Sequence, residues 1–160
     1  MKSIRPTKAL KPVVQLEPTG CGIASVAALA GVSYRTAQRA ARRLGIVAAD
    51  QRLWSDTAHV RRLLEAYGLK AQAARTPFST WSALPRRALL AVKWHREHGR
   101  PCWHWAVFAR DRGAACVLDS ASNLKRHVRK DFGRMKPKWF IAVTASCGET
   151  QQALARRRRP

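Results

Sequence analysis

The chain has 160 residues, 46% of them apolar, which is enough for one domain with a real core. Its 31 Lys and Arg against 9 Asp and Glu leave a formal charge of +22, a field that attracts polyanions and acidic surfaces but says little about fold. The longest near-apolar run, Gly22–Val32, is too short to cross a bilayer, and MKSIRPTKALKP lacks the apolar segment of a signal peptide, so a cytoplasmic protein is expected.

Residues 1–12 read as a basic arm. A helix is predicted from Cys21 to Ala30, with Ile23, Val26, Ala27 and Ala30 on one face and Gly31 ending it. Ser33 caps a second helix, Tyr34 to Leu44, which Gly45 stops. A third begins at Ser55 or Asp56, carries Val60, Leu63, Leu64 and Tyr67 as its stripe, and ends at Gly68. Thr76 to Leu84 is a connector with one turn of helix after Ser79. Then the pattern changes to short apolar runs that suit strands: Ala88–Trp94, Trp103–Ala109, Ala114–Asp119 and Lys138–Thr144, with His95 to His98 as a solvated hairpin loop. Helices followed by strands predict an α+β fold with an antiparallel sheet. Residues 147–160 form a basic tail.

The cysteines at 21, 102, 116 and 147 show no CxxC pairing and read as free thiols. Cys21 differs from the rest because it opens a helix, where the macrodipole favours thiolate over thiol. Gln15, six positions earlier, can offer a side-chain N–H to an oxyanion beside the Cys21 backbone N–H. A thiolate nucleophile needs a base, and His104 is the best placed of the 5 histidines because its strand leads into a tight hairpin. A two-residue loop at Arg112-Gly113 pairs Asp111 with Ala114 and makes Asp119 a diagonal neighbour of His104 on one face. A loop at Asp111-Arg112 puts Asp119 directly opposite, and a three-residue loop turns the two to opposite faces.

The segment QLEPTGCGIAS resembles the nucleophile segment of papain-like cysteine peptidases and is most similar to that of the C39 bacteriocin-processing, double-glycine peptidases. RPCWHWAVFARDRGAACVLDSAS looks like that family's histidine and aspartate strands, and Ser55–Lys70 resembles its intervening helix pair. The resemblance covers roughly Val13 to Val143 and implies one papain-like domain over 13–146, with an N-terminal helical half carrying the nucleophile helix and a C-terminal antiparallel sheet. It implies Cys21 as nucleophile, His104 as general base, Asp119 as the residue that orients the histidine, and Gln15 in the oxyanion hole. Gly22 would let a substrate backbone approach the sulfur, and Gly20 and Trp103 are assigned with it as substrate contacts. Gly20 stands where an aspartate is usual, and Ser120 follows Asp119 where a proline is common, departures that bear on the substrate. The implied reaction is hydrolysis of a peptide bond through an acyl-enzyme without a cofactor, with cleavage after Gly-Gly in a leader peptide as its narrower form. Amidase, deamidase and acyl-transfer chemistry would use the same residues. The chain is too short for the transporter and ATPase parts to which many C39 domains are fused, so a stand-alone enzyme is expected.

The rival reading is DNA binding. Residues 26–44 look like a helix-turn-helix with Gly31 at the turn, whose second helix would present Tyr34, Arg35, Gln38, Arg39 and Arg42 to a major groove. A zinc site from His95, His98, Cys102 and His104 matches no standard spacing, so no metal is expected.

Overall fold

The structure, a computed structural model, describes residues 9–145. Helix α1 (Cys21–Ala30) ends at Gly31, whose left-handed φ of 72° lets its N–H turn back to the carbonyls of Ala27 and Ala28. Ser33 accepts the Thr36 N–H and starts α2 (Tyr34–Arg43). A short 3-10 helix over Gln51–Ser55 precedes α3 (Ala58–Ala66). Asp56 takes the N–H groups of Ala58 and His59 at 2.7 and 3.2 Å, so the third helix begins just after the predicted Ser55 or Asp56.

Seven strands follow: β1 (Leu69–Ala71), β2 (Thr76–Pro77), β3 (Arg87–Glu97), β4 (Arg100–Asp111), β5 (Ala114–Asp119), β6 (Val128–Arg129) and β7 (Trp139–Ala145). They form an antiparallel sheet in the order β1-β7-β3-β4-β5-β6, and β2 pairs with β7. Helices then strands, as expected, make the fold α+β.

Both faces of the sheet are covered, which is why its central strands read as unbroken apolar runs. Leu89, Ala91, Trp105, Val107 and Ile141 pack with Ile23, Val26, Val60, Leu63 and Leu64 of the helices. Leu90, Val92, Ala106, Phe108 and Phe140 face the other way, under Leu84 and Met135. Within the predicted arm, Leu10 packs against the first of these clusters; residues 1–8 and the tail 147–160, including Cys147, lie outside the described residues.

One expectation is corrected. His95, Arg96 and Glu97 belong to β3 rather than to a loop, because a turn at His98 and Gly99, both at positive φ, needs only two residues to join Glu97 to Arg100. Among the described residues no helix is long and apolar enough to cross a membrane.

Candidate active site

Residues 15–20 are stapled into a fixed loop ahead of α1. The Gly20 N–H bonds the Glu17 carbonyl at 2.9 Å, Trp54 Nε1 donates to the Pro18 carbonyl at 3.2 Å, and the Thr19 hydroxyl donates to the Ala48 carbonyl. The Glu17 carboxylate accepts from the Tyr34 hydroxyl and from Gln38 Nε2 at 2.5 Å. Two of the five residues assigned to a DNA-reading helix are therefore turned inward onto Glu17, and Tyr34 is buried. The helix pair and its turn at Gly31 are as the helix-turn-helix reading drew them, but Tyr34 and Gln38 serve this packing, leaving Arg35, Arg39 and Arg42 on the exposed face of α2.

Cys21 is the first residue of α1 and is buried. The glycines beside it have packing reasons of their own. A Cβ on Gly20 would collide with the Tyr34 hydroxyl and lie 3.1 Å from the Glu17 carbonyl oxygen. A Cβ on Gly22 would collide with His59 Nε2 and lie 2.9 Å from Val60 Cγ1 and 3.1 Å from Trp105 Cδ1. The space beside each glycine is filled by protein. Trp103 is likewise buried, in an edge-on cluster with Trp105 and Trp139.

On the sheet, the turn at Arg112 (φ 51°) and Gly113 (φ 80°) pairs Asp111 with Ala114 and carries the register to Ala106 opposite Asp119. This is the first of the three hairpin alternatives, and it makes Asp119 the diagonal neighbour of His104. His104 Nε2 donates to Asp119 Oδ1 at 2.8 Å. Asp119 is buried and further held by Arg129 Nη1 on Oδ2 at 3.0 Å and the Ala121 N–H on Oδ1 at 3.1 Å. Its backbone is fixed too: the Asp119 N–H donates to the His127 carbonyl, and His127 Nδ1 donates to the Asp119 carbonyl, each at 2.8 Å.

With Nε2 committed to Asp119, the other ring nitrogen of His104 is the one left for Cys21, the second side chain that acts on the proton affinity of the ring. Burial opposes charge on the ring, but the hydrogen bonds to Asp119 and Cys21 outweigh it and raise the His104 pKa to about 9. Burial likewise opposes the Asp119 carboxylate, yet His104 and Arg129 hold it well below the ordinary range. The imidazole is thus fixed in tautomer and orientation, with an anion behind it and a thiol in front.

Gln15 joins the two halves. Its N–H donates to the Ser120 carbonyl at 3.0 Å, and its Oε1 accepts from Ser120 Oγ at 2.8 Å. Its Nε2 donates to the carbonyls of Glu17 and Pro18 at 3.0 and 3.1 Å.

Arg129 and Ser120 were not among the predicted site residues. Arg129 sits in a strand of two residues, which leaves no periodicity to read. A second histidine–carboxylate pair was also missed: buried His59 places Nδ1 3.3 Å from Asp56 Oδ2, and its Nε2, pressed against Gly22, has no hydrogen-bond partner. Asp56 is lowered to about 2, chiefly by that bond to His59. The four residues weighed as a zinc set are not brought together, since His104 is engaged by Asp119 and His98 lies in the turn. Instead His95, Glu97 and Cys102 hold potential ligand atoms within 4.8 Å of one another, two of the three on exposed side chains.

No known family profile matches the chain, and no curated protein matches it. Among solved structures it is similar to a double glycine motif protease from an AMS/PCAT transporter, solved in complex with the leader peptide. That match has a TM-score of 0.51 and 17% identity over 88% of this chain and 94% of the other. It is also similar to the peptidase domain of Streptococcus ComA, a bi-functional ABC transporter involved in a quorum sensing pathway, with a TM-score of 0.58 and 13% identity over 85% of this chain and 98% of the other. The fold is that of C39-like, papain-like peptidase domains.

Proposed function

We propose that the protein is a cysteine peptidase in which Cys21 is the nucleophile, His104 the general base and acid, and Asp119 the group that orients the imidazole. The observation that carries this reading is His104 held by Asp119 at 2.8 Å, with Cys21 near enough to raise the pKa of its ring. The raised pKa of His104 keeps a proton on the imidazole near neutral pH, the form that stabilises a sulfur nucleophile beside it. The thiolate attacks the scissile carbonyl, His104 passes its proton to the leaving amine, and an acyl-enzyme remains on sulfur. Water activated by His104 then releases the acid and restores the pair.

The oxyanion would be met by the Cys21 backbone N–H at the start of α1 and by Gln15 Nε2. Both hydrogens on that nitrogen are directed at loop carbonyls in the resting structure, so donation to an oxyanion requires releasing one of them. The leader peptide bound to one structural neighbour supports a peptide substrate, with cleavage after Gly-Gly as the narrower form. The unpaired thiols of Cys21, Cys102 and Cys116 suit a reducing compartment such as the cytoplasm.

The test is cleavage of a mixed peptide library that includes Gly-Gly sequences, read by mass spectrometry. New products from the wild-type chain that vanish with Cys21→Ala are expected. Identical product sets from the two proteins would refute the peptidase reading.

A further inference from the structure

Behind the His104–Asp119 pair lies a cavity of about 530 Å³ to which the chemistry above gives no task. Val92, the partner of His104 across β3 and β4, lines it, and so does Arg129, which bonds Asp119. The cavity therefore adjoins the catalytic pair through two residues. Lys93, Arg134, Lys136 and Lys138 also line it, and no carboxylate does. Asp131 is the nearby acid and is already taken up by Arg129, at 2.7 and 3.0 Å. Among the described residues none of those four cations is within ion-pair distance of a carboxylate.

The backbone is shaped for this arrangement. The register slips directly after Val92, so that Lys93 and Trp94 together face one residue of β4, and Lys93 takes a φ of 52°. A lysine in the left-handed region is strained, and bulges re-aim side chains beside functional sites. Trp94 also lines the cavity, but its ring is covered by this chain's own cations, Lys138 at 4.9 Å and Arg96 at 5.9 Å. It is poorly placed to stack a nucleobase. What the cavity offers is a set of cationic head groups with no carboxylate of the described residues within ion-pair distance, Lys138 resting on the Trp94 ring, and the ligand chemistry that fits them next to a peptide-cleaving pair is carboxylate.

We propose that this cavity is a subsite for an acidic segment of the peptide substrate, its Asp or Glu side chains paired with Lys93, Arg134, Lys136 and Lys138. The proposal rests on the peptidase reading of Cys21 and His104.

The test measures binding in the full chain carrying Cys21→Ala, so that no cleavage is needed. Fluorescence anisotropy at physiological ionic strength follows a labelled oligoglutamate peptide, its oligoglutamine counterpart and an oligothymidylate of similar length. The oligoglutamate is expected to bind and the oligoglutamine not to. Lys136→Glu with Lys138→Glu should weaken oligoglutamate binding by about tenfold or more, while Arg39→Glu with Arg42→Glu, the same charge change on α2, should change it by less than about twofold. Equal losses from the two pairs, or no oligoglutamate binding at all, would overturn the proposal. So would oligothymidylate bound as tightly and with the same dependence on Lys136 and Lys138. In the wild-type chain, oligoglutamate should also slow alkylation of Cys21. Local binding beside a Cys21 whose reactivity ignores His104 would leave the acidic-peptide site standing and overturn only the peptidase reading.

Discussion

Gln15 and Ser120, 105 positions apart, are joined twice, by a backbone bond of 3.0 Å and a side-chain bond of 2.8 Å. The first residue belongs to the loop that carries Cys21 and the second directly follows Asp119, so this link fixes the helical half against the sheet at the site itself. Ser120→Ala leaves the Gln15 carbonyl oxygen buried without its donor, a loss of about 1–3 kcal/mol in stability. Denaturant unfolding will measure that. Peptide cleavage should fall by about tenfold in kcat/KM as the two halves lose their register.

Gly22 is held glycine by His59. Gly22→Ala forces its methyl group onto His59 Nε2, with Val60 and Trp105 close behind, and should destabilise the chain by about 1–3 kcal/mol. His59→Ala in the same chain removes the most severe collision, so the double variant should be more stable than the sum of the single effects. Thermal unfolding of the four proteins in the cycle checks this.

Much of this arrangement is written locally in the sequence. A tight hairpin near Asp111–Gly113 is legible, and a two-residue loop there places Asp119 near His104; which loop forms, and so whether the two share a face, is decided by the positive φ of Arg112 and Gly113 in the structure. Gly31 and Ser33 announce the end of one helix and the start of the next in the same way. Arg129 is not legible, because its contact with Asp119 depends on where a two-residue strand lands after an irregular loop. His59 is hidden for a different reason: it lies beside the apolar stripe of α3, and only the packing of α3 on α1 shows that its ring presses against Gly22. His95 to Glu97 misleads because exposed charged residues read as loop, whereas a strand end running past the sheet is equally polar.

Arg129 acts on the site through Asp119 and is a positioning residue. Arg129→Met removes one of the groups that hold the Asp119 carboxyl low, so its pKa should rise. The acid limb of the pH–rate profile is then expected to move to higher pH, with Arg129→Lys in between. A purely structural role would lower activity without moving that limb.

Stability should also depend on pH through His104. Its folded pKa of about 9 lies above the unfolded value of about 6.5, so the proton it holds stabilises the fold fully below the lower value. That contribution is lost as pH rises from about 6.5 through about 9. Asp119 has the opposite sign: its depressed carboxyl stabilises the fold above the usual unfolded value of about 3.9, and that contribution is lost only in stronger acid. Between about pH 6.5 and 9, the wild-type Tm should fall relative to that of His104→Ala.

The most direct test of the Cys21–His104 pair is intact-protein and peptide mass spectrometry after brief treatment with iodoacetamide near neutral pH. Cys21 is buried, at 1% exposure, whereas Cys116 is partly exposed with its thiol pKa raised chiefly by burial. Access alone would therefore favour labelling of Cys116. An activated thiolate predicts the reverse: Cys21 is alkylated first, and His104→Ala abolishes that preference. Cys21 reacting no faster than Cys102 and Cys116, or reacting equally fast without His104, would contradict the account.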